Sequence, residues 1–206
     1  MTLTIYGSIN TRASRCLWAA EELGVVYDWK PLSTKDGSTR DPAYLAINPS
    51  GKLPALTDGD VVMSESLAMN LYMAQTYGTG SLWPAEPARQ ARVLQWTMWL
   101  ATEMEPHILP LFKLLVLTPA SERDPAAIDA KLTAVQPLFA LLDTALAGHD
   151  YLLGDFTVAD INLAAPLALF RNAMKVDLSA WPRLDAWIAR CYDRAARRKI
   201  DAIPRG

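Results

Sequence analysis

The order of apolar and polar residues divides the chain into an alternating first part and a helical second part. Residues 2–6 (TLTIY) alternate as a strand does, and residues 12–23 repeat apolar positions at helical spacing before Gly24, a favourable C-cap. A second strand is predicted at residues 25–31. The chain is therefore expected to open with a β-α-β unit.

Shorter elements are predicted after this unit. Residues 42–47 form a helical turn, and two strands at 53–57 and 61–63 lie around the sequence DGD, whose Asp-Gly suits a tight hairpin. A helix is predicted at residues 65–77. These elements complete a small α/β domain, which we expect at residues 1–78.

Helical periodicity dominates the rest of the chain, and nothing there alternates as a strand does. The pattern predicts a long helix at residues 87–117, bent at Pro106 or Pro110 because a proline ring removes a helix hydrogen bond. Further helices are predicted at residues 125–146 and, as one or two segments, 181–199.

One more helix carries a specific start signal. Thr157 is suited to the N-cap and Asp160, three residues later, to the reciprocal position of a capping box. We therefore expect an all-α domain at residues 87–206, joined to the first domain by a linker at residues 79–86.

The composition excludes several classes of partner. The 206-residue chain has a net charge of −2, with 51% hydrophobic and 20% charged residues, which is ordinary for a globular protein. Its densest basic cluster, residues 194–199, is interpreted as a solvated helix end, so no nucleic-acid partner is expected. No signal peptide or membrane span is predicted, and a cytoplasmic location is expected.

The metal-ligating residue types are few and scattered. Cys16 and Cys191 have neither a C-x-x-C nor a zinc-site spacing, so we expect buried structural thiols. The only histidines, His107 and His149, are too far apart in sequence to indicate a site. No metal cofactor is predicted.

Pro54 interrupts the predicted strand at residues 53–57. Since proline cannot donate to a sheet ladder, it is either the first residue of an edge strand or part of a cis Leu53-Pro54 turn. In the cis arrangement the backbone N–H and C=O of Leu53 would face outward, where they could pair with an extended, peptide-like ligand.

The sequence SES, residues 64–66, lies where a hairpin ends and a helix begins. The first N–H groups of a helix favour an anion, the Ser66 hydroxyl adds a donor, and Glu65 can accept from an ammonium group. The residues thus suit the two ends of an amino-acid head group. The alternative is simple N-capping by Ser64, with the acid complementing the helix dipole.

These motifs resemble those of the cytosolic glutathione transferase family over essentially the whole chain. The resemblance rests on NPSGKLPAL at 48–56, the Glu65-Ser66 pair, LWAAEELG at 17–24, LWP at 82–84 and FTVADI at 156–161. It implies a thioredoxin-like N-terminal domain that binds glutathione, an all-α C-terminal domain with an apolar second-substrate pocket, and a homodimer active in detoxification.

The resemblance also assigns glutathione-binding roles to Arg40, Lys52, Leu53, Pro54, Glu65 and Ser66. The cis proline and the residue before it would pair with the cysteinyl part of glutathione, and the acid and serine would hold the γ-glutamyl end. The two cations would approach the glycyl carboxylate. For each cation the alternative is a solvated loop charge.

The residue that activates the thiol is expected between the first strand and the first helix. In theta-like members a serine lies four residues before an arginine of that helix, and counting back from Arg15 gives Thr11. Thr11 is the first candidate and also a good N-cap, with Asn10 and Ser8 as alternatives. Cys16 lies too far inside the helix to be the nucleophile.

The resemblance implies a glutathione S-transferase that activates the thiol of bound glutathione for attack on small apolar electrophiles. The second-substrate pocket would include Trp99, Glu103, Met104 and His107, unless these are ordinary core residues. Alternatives on the same fold are a glutathione-dependent isomerase, dehalogenase or peroxidase/disulfide reductase, and a glutathione-binding or protein-interaction module with little turnover.

Overall fold

The computed structural model describes residues 2–204 and divides them into two structural units. The first unit contains residues 2–85 together with residues 194–204, and the second contains residues 86–193. The predicted helical domain at 87–206 differs from the second unit at its C-terminal end, where the last helix lies in the first unit.

A four-stranded mixed sheet in the order β2-β1-β3-β4 forms the centre of the first unit. β1 (Leu3–Tyr6) pairs in parallel with β2 (Tyr27–Lys30) and antiparallel with β3 (Ala55–Asp58), which pairs antiparallel with β4 (Val61–Ser64). β3 begins only after Pro54, because proline cannot donate to the ladder. The predicted strands are confirmed with small shifts of their ends.

Two longer helices pack against each other in this unit. α1 (Ala13–Leu23) ends at Gly24, whose φ of 64° is the left-handed conformation expected of the predicted C-cap. α1 packs on α3 (Ser66–Tyr77), and α2 (Pro42–Leu45) follows a short 3₁₀ turn at Ser38–Arg40. The predicted thioredoxin-like arrangement is confirmed.

The second unit is entirely helical. Its α-helices are α4 (Pro87–Trp99), α5 (Glu105–Phe112), α6 (Pro125–Ala145), α7 (Val158–Asn172) and α8 (Pro182–Tyr192). The predicted capping box begins α7, where the Thr157 N–H donates to Asp160 Oδ2 at 2.9 Å. Within residues 2–204 no helix is long and apolar enough to cross a membrane.

The predicted long helix at residues 87–117 is interrupted rather than simply bent. π-helical turns at Leu100–Met104 and Lys113–Leu117 flank α5, which contains both Pro106 and Pro110. Each proline lacks an N–H, so one regular helix bond is missing at each of these positions. In the turns on either side of α5 the bonds are wider, such as that from the Glu105 N–H to the Leu100 carbonyl.

The basic cluster at residues 194–199 is not a solvated helix end, and that interpretation is wrong. The cluster opens α9 (Ala195–Asp201), which packs on α1, and Arg197 is only 3% exposed. Arg194 Nε bonds Glu22 Oε1 at 2.7 Å, and Lys199 Nζ bonds Glu21 Oε2 at 2.6 Å. Carboxylates on α1 therefore hold the end of the chain in the first unit.

Candidate active site

The loop before β3 presents the backbone of Leu53. The Leu53-Pro54 peptide bond is cis, as the family resemblance implies, and not the simple strand entry that was the alternative. The carbonyl of Lys52 accepts hydrogen bonds from Tyr44 Oη at 2.5 Å and Asn48 Nδ2 at 2.8 Å, which hold the loop in place. Within residues 2–204 the N–H and C=O of Leu53 form no hydrogen bond. Both groups are therefore available to an extended ligand.

Backbone strain and burial mark the start of α3. Glu65 has φ 67° and ψ 99°, a region that non-glycine residues rarely adopt, and its side chain is exposed. Ser66, the first residue of α3, is 2% exposed, and its N–H has no partner in the helix. Among the described residues no side chain caps this helix, so the alternative role of Ser64 as N-cap is not observed.

Arg15 contacts this helix start and was not predicted as a site residue. It lies in the first turn of α1, is 3% exposed, and its Nε–H donates to Ser66 Oγ at 2.9 Å. No local pattern in the sequence indicates this contact, because an arginine near a helix end is usually solvated.

Thr11 occupies a double hydrogen-bonding position before α1. Its hydroxyl donates to the Ser8 carbonyl at 2.8 Å and accepts from the Ala13 N–H at 3.2 Å, so it satisfies one N–H of the first helical turn. Thr11 is nevertheless not the N-cap residue, which is Arg12; its hydroxyl caps the helix from one position further back. Of the two alternatives, Ser8 is half-buried and Asn10 is exposed.

Gly7 brings Thr11 and Leu53 together. Its φ of 134° favours glycine, and a Cβ at this position would lie 2.8 Å from Ala13 Cβ, 3.3 Å from Thr11 Oγ1 and 3.5 Å from Leu53 Cβ. The Trp29 Nε1–H donates a hydrogen bond to the Gly7 carbonyl at 2.8 Å. The Thr11 hydroxyl oxygen and the Leu53 side chain therefore both lie close to Gly7, and there is no room for a side chain between them.

Two cations lie on either side of α2, Arg40 at the end of the 3₁₀ turn before it and Lys52 in the loop after it. Arg40 is exposed and covers Gly51, since a Cβ on that glycine would lie 2.9 Å from Arg40 Nη1. Lys52, which follows Gly51, is also exposed. Neither side chain forms an ion pair or hydrogen bond in the part of the chain that the structure describes. Their charges are available to an anion.

Cys16 is a structural thiol. It is fully buried in α1, and burial raises the pKa of its thiol to about 12, although the charge of Arg15 acts in the opposite direction. Cys191 is buried as well. Because the thiolate is the reactive form, Cys16 is unreactive at neutral pH.

The four residues predicted to line the second-substrate pocket differ in burial: one lies in the core of the second unit and three reach its surface. Met104 is fully buried, and Trp99 packs edge-on against Trp96 with ring centroids 5.5 Å apart. Glu103 is exposed and His107 half-buried. Met104 therefore contributes to the core of its unit, and the other three side chains reach the surface to different extents.

Family models and individual relatives identify this arrangement. Residues 1–75 match the glutathione S-transferase N-terminal domain and residues 125–190 match the C-terminal domain. Glutathione S-transferase GstB of Escherichia coli is 36% identical, with 98% of this chain and 99% of the relative covered. Glutathione S-transferase 4 of Zea mays is 30% identical, with coverage of 95% and 90%.

A solved structure gives the same result. The theta class glutathione S-transferase of Xanthomonas axonopodis pv. citri, determined with glutathione bound, is 36% identical with a TM-score of 0.88, and 98% of each chain is covered. The family, fold and transferase class predicted from the sequence are confirmed, and the chain belongs to the glutathione S-transferase family.

Proposed function

We propose that this protein binds glutathione in its first unit and activates the thiol for attack on small apolar electrophiles. The observation that carries the proposal is the proximity of Thr11 and Leu53, both of which lie close to Gly7. The group that would activate the thiol and the backbone that would hold the cysteinyl residue thus lie side by side.

Each end of glutathione has matching groups. The Leu53 N–H and C=O would pair with the cysteinyl backbone in the manner of an added strand. The Ser66 N–H and hydroxyl would bind the γ-glutamyl carboxylate, and Glu65 would accept from its ammonium group. Arg40 and Lys52, which have no carboxylate partner among the described residues, would approach the glycyl carboxylate.

Thiol activation requires an exchange of hydrogen bonds at Thr11. In this structure the Thr11 hydroxyl donates its hydrogen bond to the Ser8 carbonyl, and such a bond between neutral groups contributes about 1 kcal/mol net. A bond to a thiolate is worth about 1.5 to 3 kcal/mol, so the exchange favours the charged ligand. Lowering the thiol pKa by about two units takes about 2.7 kcal/mol, and the N–H groups at the start of α1 would supply the remainder.

The thiolate absorbance of bound glutathione, followed across pH, tests this function. We expect a depressed pKa in the wild type and a rise of about one unit in Thr11→Val, which removes the hydroxyl and keeps the shape of the side chain. Thr11→Ser, the matched control, should titrate like the wild type. If the thiol bound to Thr11→Val has the same depressed pKa as in the wild type, Thr11 does not activate the thiol, and Ser8 or Asn10 becomes the candidate.

The same titration separates transferase chemistry from binding alone. If the wild type binds glutathione and its thiol titrates as it does in free solution, the protein is a glutathione-binding module with little turnover. If the pKa is depressed, assays with small apolar electrophiles, organic halides, isomerisable substrates and peroxides distinguish conjugation from the other reactions of this fold. Trp99, Glu103 and His107 remain the candidates for contact with that substrate.

We also propose that the protein is a homodimer. Apolar side chains are exposed in each unit, and Val62 of β4 and Met98 of α4 are both 52% exposed. A second copy would remove such side chains from water. Light scattering after gel filtration should give the mass of two chains, whereas a mass of 22.7 kDa would refute the dimer.

A further inference from the structure

Arg15 is a buried cation in a unit where most charges are solvated. Its side chain is 3% exposed, and a charge at such a depth persists only when hydrogen bonds replace its hydration. One of those bonds is the 2.9 Å contact from Nε to Ser66 Oγ. The cation therefore lies directly behind the residue proposed to bind the γ-glutamyl carboxylate.

The direction of this bond decides what Ser66 can do. A serine hydroxyl has one proton and accepts through its lone pairs, and a guanidinium has no acceptor. Arg15 must be the donor, so the proton of Ser66 points to some other acceptor. A ligand carboxylate fits that requirement.

The backbone of Arg15 is tied to the same helix. Asn70, one turn further along α3 than Ser66, donates from Nδ2 to the Arg15 carbonyl at 3.3 Å. The side chain and the main chain of Arg15 thus both contact α3. These two contacts fix the guanidinium at the N-terminal, positive end of that helix. A positive charge at this end adds to the helix dipole in attracting an anion.

We infer that Arg15 is a positioning residue for glutathione: it orients the Ser66 hydroxyl as a donor and places a buried positive charge behind the γ-glutamyl carboxylate. The inference rests on the proposed function of the site. It assigns to the first turn of α1 a part in binding that is separate from the activation of the thiol by Thr11.

A double-mutant cycle with Ser66 tests the inference. Arg15→Lys keeps the charge and loses the directed Nε–H, so the dissociation constant for glutathione should rise about tenfold, the size of a hydrogen bond to a charged group. In a Ser66→Ala background the same change should cost less than about twofold, because the two residues act as one unit. The KM for glutathione should rise, with kcat retained at saturation.

Arg197→Lys is the matched control. Arg197 is also 3% exposed in the same unit, but it pairs with Asp201 and lies over the Trp18 ring, 5.4 Å from its centroid. This variant should change the dissociation constant by less than about twofold. Equal losses in both lysine variants, or the same loss from Arg15→Lys with and without Ser66, would overturn the inference.

A measurement on the wild type covers the case in which Arg15→Lys does not fold. The Nε–H resonance of Arg15 should shift on saturation with glutathione, and that of Arg197 should stay in place. A stationary Arg15 resonance in protein that binds glutathione overturns the role of Arg15 alone. Failure of the wild type to bind glutathione at all would instead refute the proposed function.

Discussion

Glu65 shows at the scale of one residue how stability and binding compete. Its φ of 67° and ψ of 99° are costly for a side chain with a Cβ, and such strain commonly amounts to about 1 to 3 kcal/mol. The side chain is exposed, so its packing does not offset that cost. The strained backbone places a carboxylate beside Ser66, which explains the conformation if the carboxylate binds an ammonium group.

We predict that Glu65→Gly keeps or raises the melting temperature and weakens glutathione binding. Glycine relieves the strain, and the greater entropy of the unfolded chain offsets only about 1 kcal/mol of that relief. Thermal unfolding and calorimetric titration measure the two effects. Glu65→Gln, which retains the strain and loses the charge, should bind glutathione weakly without any gain in stability. A lower melting temperature for Glu65→Gly would show that the backbone is not strained.

At the scale of the element, the start of α7 is stabilised by one buried carboxylate. Asp160 is fully buried and accepts from the N–H groups of Leu152 and Thr157, at 3.0 and 2.9 Å, and from Trp187 Nε1 at 2.9 Å. Burial raises the pKa of this carboxyl despite these donors. Asp160 thus joins α7, the preceding turn and α8.

We predict that Asp160→Asn lowers the free energy of unfolding by about 2 to 4 kcal/mol, because an amide NH₂ would face donors that the carboxylate accepts. Urea unfolding at neutral pH measures this loss. Asp155→Asn is the control, since Asp155 is exposed and pairs only at the surface with Arg89. An equal loss in both variants would contradict a special role for Asp160.

The raised pKa also predicts a pH dependence. A carboxyl whose pKa is higher in the folded state binds its proton more readily when folded, so its contribution to stability falls as pH rises from the ordinary aspartate range through the raised value. In Asp160→Asn this contribution to the pH dependence of the free energy of unfolding should be absent. Unfolding curves of the two proteins at several pH values measure this difference. The same change of the free energy of unfolding with pH in both proteins would contradict the prediction.

At the scale of the whole chain, the last helix completes the first unit. Glu22 accepts two bonds from Arg194, both at 2.7 Å, and a third from Trp18 Nε1 at 3.0 Å. Ile200 is buried at 1% exposure. The unit that contains the proposed glutathione site therefore depends on residues from the far end of the sequence.

We predict that a chain ending at Asp193 has a lower melting temperature and a more solvent-exposed Trp18. Removing α9 uncovers apolar surface and leaves Glu22 without its cationic partner, which is unfavourable for a carboxylate with little exposure. Thermal unfolding and quenching of tryptophan fluorescence measure both effects. A chain ending at Asp201 keeps α9 and should behave as the full chain does. Unchanged stability without α9 would contradict this account.

The sequence determined the elements and the residues whose chemistry is local. The period of the apolar positions predicted the β-α-β unit and the helical second part, and Thr157 with Asp160 predicted the start of α7. The family resemblance carried by NPSGKLPAL implied the cis proline, whose presence the structure confirms. Such signals are readable because they involve neighbours along the chain.

Only the tertiary structure decided which distant residues meet. Arg15 and Ser66 are far apart in sequence, as are Glu22 and Arg194, and nothing in either local pattern distinguishes them from solvated charges. The same holds for Thr11 and Leu53, which meet beside Gly7. The reason is physical: burial and electrostatic contact depend on how the helices and strands pack, and packing joins residues that local sequence treats independently.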